Sequence, residues 1–298
     1  MGCNFDEKGL PVVDCDTCTA CGICALVCPT RSLALVDGQI EVADRTFFGC
    51  IGCGQCAMVC PTGSITVTGR RFGPEDLVEL PPADGKATAD QLDALVLGRR
   101  SVRRFTDAPI DRAAVERILE IAATAPMGVP PSEVGILVFH SHEKVRRFAE
   151  DAIGCFRRTL RVFGPVRLAV MRPFLGQAQH ALMRDFVRPL FELNVQRWDE
   201  GEDKFTYDAP LALLFHDGPT GDPTDAAIAA TYAMLAAESL GLGSCMLGTT
   251  AALGHDAAFK AKYGIPKENK IGVALAIGHP EIKYHRGVRR RLAAVHFV

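Results

Sequence analysis

Hydrophobic and polar positions alternate in different ways in the two parts of the chain. Beyond residue 91, apolar side chains recur with helical spacing at 92–98 and 111–122, and an Ala-rich stretch at 222–240 predicts a long helix that stops at Gly241. Helices and strands follow each other irregularly, which favours an α+β fold over a doubly wound sheet. Three continuous apolar runs predict buried strands, at 134–140, 211–216 and 273–278.

The first 70 residues repeat themselves with an offset of 32 positions. Each copy reads Cys-x2-Cys-x2-Cys-x3-Cys-Pro and continues into a short alternating strand, so that CPTRSLALV at 28–36 superposes on CPTGSITVT at 60–68. The repeated cysteines are Cys18, Cys21, Cys24 and Cys28 in the first copy, and Cys50, Cys53, Cys56 and Cys60 in the second.

Composition narrows the classes of protein that could carry this repeat. The chain has 298 residues, 48% of them hydrophobic, a formal net charge of −2 and 12 cysteines, and ten of these cysteines fall within the first 60 residues. The beginning of the chain has no signal-peptide pattern, so we expect reduced thiols and a cytoplasmic location. No apolar run approaches the ~20 residues of a membrane span, and the near-neutral charge gives no reason to expect nucleic acid.

The repeat resembles that of bacterial two-cluster ferredoxins over about residues 12–70, where the fourth cysteine of each run ligates the other cluster. The resemblance implies two [4Fe–4S] clusters. Zinc is the alternative, but a zinc ribbon pairs two Cys-x2-Cys steps and leaves the third cysteine of each copy unused. Cys15 also forms a triplet with Cys18 and Cys21, although only Cys24 stands at the right distance before Cys28. The implied ligand sets are Cys18, Cys21, Cys24 and Cys60 for one cluster, and Cys50, Cys53, Cys56 and Cys28 for the other.

We therefore expect three parts in the chain. A ferredoxin-like domain occupies residues 1–70, and a Pro-rich linker at 71–90 leads to an α+β domain at 91–298.

Four segments of the second domain carry candidate chemistry. Arginines surround a serine in RRSVRRF at 99–105, a combination that suits a phosphate monoester. The turn at 125–131 and the Gly-rich segment at 241–248 both allow a close approach to the backbone. A second basic cluster lies at 284–292.

Together these segments resemble the nitroreductase family of FMN flavoproteins over about residues 92–298. The resemblance implies an FMN-binding α+β domain that forms homodimers. Many members carry an Asn and a Gln-Pro-Trp after the Ala-Pro turn, whereas this chain has Val129-Pro130-Pro131-Ser132, as in the ferredoxin-fused branch of the family. The implied FMN-binding residues are Arg99, Arg100, Ser101 and Arg103 at the phosphate, Pro126, Met127 and Gly128 beside the isoalloxazine, Leu247 and Gly248 near flavin N5, and Arg286 and Arg289 as further phosphate ligands.

The segment 155–207 has helical periodicity, and Leu182, Phe186, Leu190 and Leu193 form one apolar stripe. Core packing is the first interpretation of this stripe. The alternative is a lid over the flavin, which would bring Arg184, Trp198 or Tyr207 to the substrate.

No dinucleotide-binding fingerprint is present, because Gly241-x-Gly243 follows a helix instead of a strand. We therefore expect electrons to come from an external low-potential donor, such as a ferredoxin, through the clusters and FMN to a small organic acceptor: a nitroaromatic, quinone or enone. The alternatives are an electron carrier for a partner enzyme, and a reductive dehalogenase or flavin-cleaving enzyme of the same superfamily.

Overall fold

The computed structural model describes residues 7–43 and 49–297, and the chain divides into two compact units. The first unit contains the described residues up to Lys86 together with two short segments from later in the chain, Met127–Glu133 and Thr220–Asp222. The second unit contains the remaining described residues from Ala87 onwards. The division falls inside the predicted linker 71–90.

The first unit has two short helices and two strand pairs. Its elements are β1 (Leu10–Val13), α1 (Ile23–Val27), β2 (Leu33–Val36), β3 (Gln39–Val42), α2 (Gln55–Met58) and β4 (Ile65–Thr68). Strand β1 pairs antiparallel with β4, and β2 with β3. The strands predicted after the two Cys-Pro steps are present as β2 and β4.

The helices α1 and α2 occupy equivalent places in the two sequence copies. Each follows a glycine in the left-handed region, Gly22 with φ 77° and Gly54 with φ 69°. A side chain is disfavoured in that region, so glycine is the residue that suits both turns. The small core contains few apolar side chains, including Leu33 and Val67, and two of its buried members are the cysteines Cys24 and Cys56.

The second unit is larger and mixes helices with four strands. In chain order it contains α3 (Ala89–Gly98), α4 (Arg112–Ala123), β5 (Val134–His140), α5 (His142–Val162), α6 (Pro165–Leu175), α7 (Gln177–Leu182), a π-helical turn (Met183–Val187), α8 (Arg188–Asp199), β6 (Leu211–Asp217), α9 (Asp225–Ser239), β7 (Gly243–Leu247), a 3-10 segment (Gly248–His255), α10 (Ala257–Lys262) and β8 (Lys270–Gly278). The predicted α+β class is confirmed.

The four strands form one antiparallel sheet in the order β5-β6-β8-β7. Both faces of the sheet are buried. Alternate residues of β6 belong to different cores, since Leu214 packs with α5 and α8 whereas Leu213 packs with α4 and α9. Burial on both faces explains why β6 and β8 are continuous apolar runs instead of alternating ones. The predicted burial of the 134–140 strand is wrong, because β5 lies at the edge of the sheet and is only partly buried.

Sequence analysis missed β7, which lies in the segment that we interpreted only as a place of close backbone contact. Gly243 begins this strand, and a Cβ there would lie 2.7 Å from Cγ2 of Val102. The predicted close approach to the backbone of this segment is therefore present, and it is made by Val102 of the 99–105 segment. The strand was not predicted because it begins with Gly243 and Ser244, small residues that are uncommon in strands.

The interpretation of the 155–207 stripe as core is wrong. Leu182, Phe186 and Leu193 expose 47%, 60% and 46% of their surface. Helix α6 adds further exposed apolar side chains, among them Phe174. Helix α5 supplies the core instead, through buried residues such as Phe148 and Phe156. In the described parts of the chain, no helix combines the length and the apolar character needed to cross a bilayer.

Candidate functional site

The eight repeated cysteines surround two separate cavities in the first unit. Cavity A has an empty volume of about 270 Å³ and is lined by Cys18, Cys21, Cys24 and Cys60. Cavity B has an empty volume of about 320 Å³ and is lined by Cys28, Cys50, Cys53 and Cys56. Each cavity thus takes three cysteines from one sequence copy and the fourth from the other copy, in the combination that the ferredoxin resemblance implies.

Backbone amides donate to three of these sulfurs. The N–H groups of Ala20, Ser32 and Gly52 point to the Sγ atoms of Cys18, Cys28 and Cys50, at 3.4, 3.2 and 3.4 Å. Hydrogen bonds to a sulfur stabilise its thiolate form, which is the form that binds metal.

The fourth cysteine of each copy has a distinct environment. Burial opposes ionisation of Cys28, but hydrogen bonds from Thr30 and Ser32 outweigh it, and the pKa of this thiol is lowered. Cys60 has a lowered pKa for the same reason, through Thr62 and Ser64. Sequence analysis did not single out these hydroxyl residues, although the CPT-x-S pattern in both copies is the signal that would have found them.

The central cysteines of the two helices are more buried. Desolvation raises the pKa of Cys56 to about 11 and also raises the pKa of Cys24. A buried thiolate of this kind needs a nearby cation, and iron bound in the cavity would supply that positive charge.

The arrangement fits a cluster better than a single zinc ion. A tetrahedral zinc site places each thiolate sulfur ~2.3 Å from the metal. Within residues 7–43 and 49–297, no three Cys, His, Asp or Glu side chains converge closely enough to hold one ion. The eight cysteines instead divide between two cavities with four at each, which is the number of thiolate ligands that a [4Fe–4S] cluster takes. Cys15 is exposed and lines neither cavity, and Cys3 lies outside the described residues.

A second candidate site lies in the second unit, where residues 99–105 leave α3 and run beside β7. Ser101 pairs with Ser244 in a parallel bridge, and Val102 N–H donates to Ser244 O at 3.0 Å. This pairing fixes the backbone between the arginines.

Two arginines of this segment, Arg99 and Arg103, lie near the middle of β7, and Arg100 lies beside the end of α3. The positive charges of Arg103 and Arg99 act on the buried Cys245, lowering its pKa against the larger effect of burial, which raises it. Arg100 donates from Nη2 to Leu97 O at 3.1 Å, and its buried Nε has no partner among the described residues. Arg99 and Arg100 are half-buried and lie near the Glu238 carboxylate, whose pKa they lower against the larger effect of burial, and Arg103 is exposed. A phosphate dianion would neutralise the remaining positive charge of the three arginines.

The adjacent Arg104 differs from its neighbours. Its guanidinium forms an exposed ion pair with Glu281, with Nε 3.0 Å from Oε2. Its charge is therefore already neutralised by Glu281.

The basic tail runs along α3. A Cβ at Gly287 would lie 2.9 Å from Leu97 O, and Arg289 Nη2 donates to Asp93 Oδ2 at 2.6 Å. The tail is therefore antiparallel to α3, and Arg286 lies toward the helix end that precedes Arg99. Arg289 forms an ion pair with Asp93, so Arg286 is better placed for a phosphate.

The remaining predicted FMN residues fall in different parts of the chain. Leu247 is buried at the end of β7, and Gly248 begins the 3-10 segment with open space where a Cβ would project. Pro126 belongs to the second unit, whereas Met127 and Gly128 belong to the first.

The three lid candidates have different surroundings. Arg184 forms an exposed ion pair with Asp185, and Trp198 packs partly against the core beneath Arg146. Tyr207, in the left-handed region with φ 60°, has the Arg103 guanidinium 6.0 Å from its ring centre. Of the three candidates, Tyr207 is therefore the one beside the arginine group.

Comparison with known families decides the classification of the second domain. Residues 96–279, more than half of the chain, match the model of the nitroreductase family. The chain belongs to the nitroreductase family. Residues 17–65 match the 4Fe-4S dicluster domain. These matches confirm the prediction that a nitroreductase-family domain follows an N-terminal ferredoxin-type domain.

Individual relatives of this nitroreductase-family chain agree with that assignment. The FMN reductase [NAD(P)H] of Bacillus subtilis (strain 168) is 27% identical over 183 residues, which are 61% of this chain and 62% of the relative. This chain thus spans less than two thirds of that relative's length. Nitroreductases with bound FMN from Bacteroides fragilis NCTC 9343 and Desulfitobacterium hafniense DCB-2 share the fold.

The two structural comparisons are similar in extent. The Bacteroides fragilis protein gives a TM-score of 0.53 at 20% identity, covering 70% of this chain and 98% of its own. The Desulfitobacterium hafniense protein gives a TM-score of 0.50 at 18% identity, covering 71% of this chain and 100% of its own.

The crossed cysteine sets generate a prediction about iron content. Replacing Cys60→Ser removes one sulfur from cavity A alone, so bound iron should fall from about eight to about four atoms per chain. Cys15→Ser, in the same segment but outside both cavities, is the matched control and should keep the full iron content. Iron and acid-labile sulfide, assayed after anaerobic purification, measure both variants. Full iron content in Cys60→Ser would contradict the assignment of this cysteine.

Proposed function

We propose that this protein is an iron–sulfur flavoprotein oxidoreductase that passes electrons from two [4Fe–4S] clusters to FMN and on to a small organic acceptor. The observation that carries the proposal is the pair of cavities, each surrounded by four cysteines drawn from both sequence copies, in a chain whose second domain belongs to the nitroreductase family. A nitroaromatic, a quinone or an enone is the acceptor class that we propose.

The cysteines would hold the two clusters as separate one-electron centres. Cavity A would use Cys18, Cys21, Cys24 and Cys60, and cavity B would use Cys28, Cys50, Cys53 and Cys56. Clusters of this type carry single electrons at potentials on the order of −400 mV. Amide donors at Cys18, Cys28 and Cys50 would stabilise the reduced, more negative state of each cluster.

The arginines of the second unit would hold FMN by its phosphate. Arg99 and Arg103 act on Cys245 in β7, and Arg100 lies beside Leu97 at the end of α3. Ser101 follows Arg100 in the chain, and Arg286 directly precedes the point where the tail contacts Leu97. FMN, when bound, supplies two-electron delivery from a carrier that can be loaded one electron at a time. The FMN-bound Bacteroides fragilis nitroreductase, which shares the fold, and the FMN reductase of Bacillus subtilis support this choice of cofactor.

An external low-potential protein, such as a ferredoxin, is the electron donor that we propose. Two observations favour it over a nicotinamide. The chain carries its own cysteine-rich segment for electron entry, and the Gly-x-Gly step at Gly241 follows a helix instead of a strand.

A homodimer is the proposed assembly. Helix α6 and the π-helical turn expose large apolar side chains, including Val170, Phe174 and Phe186. The tail beyond Pro280 is exposed along its described length, and Phe297 exposes 98% of its surface. Apolar surface of this extent is typical of protein–protein interfaces.

The arginine assignment predicts a difference between two neighbouring residues. Arg103→Met removes a donor from the proposed phosphate site and should weaken FMN binding by about tenfold or more, because hydrogen bonds to charged groups are strong. Arg104→Met is the matched control and should bind FMN as the unaltered protein does, since Arg104 is paired with Glu281. Titration of the apoprotein, followed by quenching of FMN fluorescence, measures both. Equal weakening in the two variants would count against a specific phosphate site.

The direction of electron entry is tested with two reductants. Under anaerobic stopped-flow conditions, a reduced ferredoxin should bleach the flavin absorbance rapidly, and NADH should do so slowly. Cys56→Ser should abolish the fast phase because it disables cavity B. Full-rate bleaching by NADH in that variant would contradict entry through the clusters. Rapid bleaching without turnover of any nitroaromatic, quinone or enone would favour an electron carrier over an enzyme.

A further inference from the structure

Two arginines form a tight turn directly after the cysteine repeat. Strand β4 ends at Thr68, and Phe72 N–H donates to Gly69 O at 3.2 Å across the turn. Arg70 and Arg71 between them both lie in the left-handed region, with φ 53° and 57°. Turns with two such residues strongly favour Asn and Gly. The arginines therefore occupy a conformation that other interactions must stabilise.

Those interactions hold the loop Met127–Glu133, which belongs to the same compact unit. Arg70 is buried, and its Nη2 donates to Pro130 O at 2.6 Å while its Nη1 donates to Glu7 O at 2.9 Å. Arg71 Nη2 donates to Ser132 O at 2.9 Å. The two guanidinium groups thus bind two carbonyls of one loop.

The loop has further contacts inside the first unit. The Glu133 carboxylate accepts hydrogen bonds from Thr220 N at 3.0 Å and Thr220 Oγ1 at 2.6 Å. A Cβ at Gly128 would lie 2.9 Å from Cβ of Asp222. The loop is consequently fixed at both ends to the unit that contains the cysteine cavities.

The same turn packs on the backbone that forms cavity B. A Cβ at Gly52 would lie 3.1 Å from Cβ of Arg70, and Gly52 N–H donates to Cys50 Sγ. A Cβ at Gly54, which lines cavity B, would lie 2.5 Å from Cζ of Phe72. None of the described residues that line cavity A comes from 50–56. The arginine turn therefore connects the loop to cavity B and not to cavity A.

We propose that Arg70 is a positioning residue that fixes the loop Met127–Ser132 against cavity B, so that electrons leave the ferredoxin-like segment from the cluster bound in that cavity. This inference rests on the proposed function. The cluster in cavity A would then receive electrons from the external donor and pass them to the cluster in cavity B. For each acceptor molecule, a reduced ferredoxin-type donor supplies two electrons, one at a time, and solvent supplies two protons.

The assignment gives the loop a specific role. Its residues Met127 and Gly128 match the turn that lies beside the isoalloxazine in the resembling family. Arg70 and Arg71 would fix this turn relative to one of the two clusters. Electron tunnelling slows exponentially with distance. If the loop moved freely, transfer from the cavity B cluster to the flavin would therefore be slower on average.

The test uses the complete protein loaded with iron and FMN, and Arg70→Met as the principal variant. It should keep its iron and FMN, while amide hydrogen exchange in the peptide 127–133 should become about tenfold faster or more, because charge-assisted hydrogen bonds to the loop are lost. After rapid one-electron reduction, transfer to the flavin should slow by a comparable factor, and the electron should be trapped as the EPR signal of the cavity B cluster.

Two further variants separate this role from charge and from folding. Arg31→Met is the matched control. Arg31 is an exposed arginine with φ 53° that lies between two residues lining cavity B. Among the described residues, its side chain forms no hydrogen bond with the loop. It should leave exchange and transfer unchanged. Arg71→Met removes the exposed hydrogen bond to the loop, between Arg71 and Ser132 O, and replaces the principal variant if Arg70→Met loses iron. We expect faster amide exchange in the peptide 127–133 and slower electron transfer to the flavin in this variant as well.

Two results would overturn the inference. Unchanged exchange in 127–133 would mean that the arginines do not hold the loop. Faster exchange with unchanged transfer, or trapping of the electron on the cavity A cluster, would mean that electrons do not leave beside this loop. If the unaltered protein itself shows no transfer from cluster to flavin, the proposed function fails instead, which is a distinguishable outcome.

Discussion

The exchange of the fourth cysteine between the two sequence copies is the constraint on which the first unit depends. Cys28 lies at cavity B and Cys60 at cavity A, so neither copy can complete its site alone. The unit buries few apolar side chains, and a core of this size supplies little free energy of folding. Thiolate–iron bonds across the two copies would supply the rest and make folding and cluster binding one process.

Much of this organisation could be predicted from the sequence because it depends on local spacing. Three cysteines at successive intervals of three, followed by Cys-Pro, form a local pattern typical of cluster ligands, and the third cysteine of each triplet, Cys24 or Cys56, lies in a short helix. The strands β5, β6 and β8 were equally predictable, since five or more apolar residues in a row between turn residues leave few alternatives. The 99–105 segment was also found in advance, because four arginines around a serine are unusual after a helix.

The features that sequence analysis missed depend on contacts between distant segments. Strand β7 is composed largely of small residues, and only its pairing with β8 and the approach of Val102 explain Gly243. The 182–193 stripe has core periodicity but lies at the surface, because α5 already fills the core through Phe148 and Phe156. Arg70 is the last residue of the predicted ferredoxin-like domain, and its burial follows only from contacts with Glu7 and Pro130, which are 63 and 60 positions away.

In the proposed function, electrons move within one molecule, from the clusters of the cysteine-rich segment to FMN in the second domain. Flash photolysis of the anaerobic protein with a photoreduced deazaflavin tests this claim most directly. The account predicts fast bleaching of the iron–sulfur absorbance, followed by flavin reduction whose rate constant is independent of protein concentration. Flavin reduction that occurs only in proportion to the concentration of the external reductant, with the clusters left reduced, would contradict it.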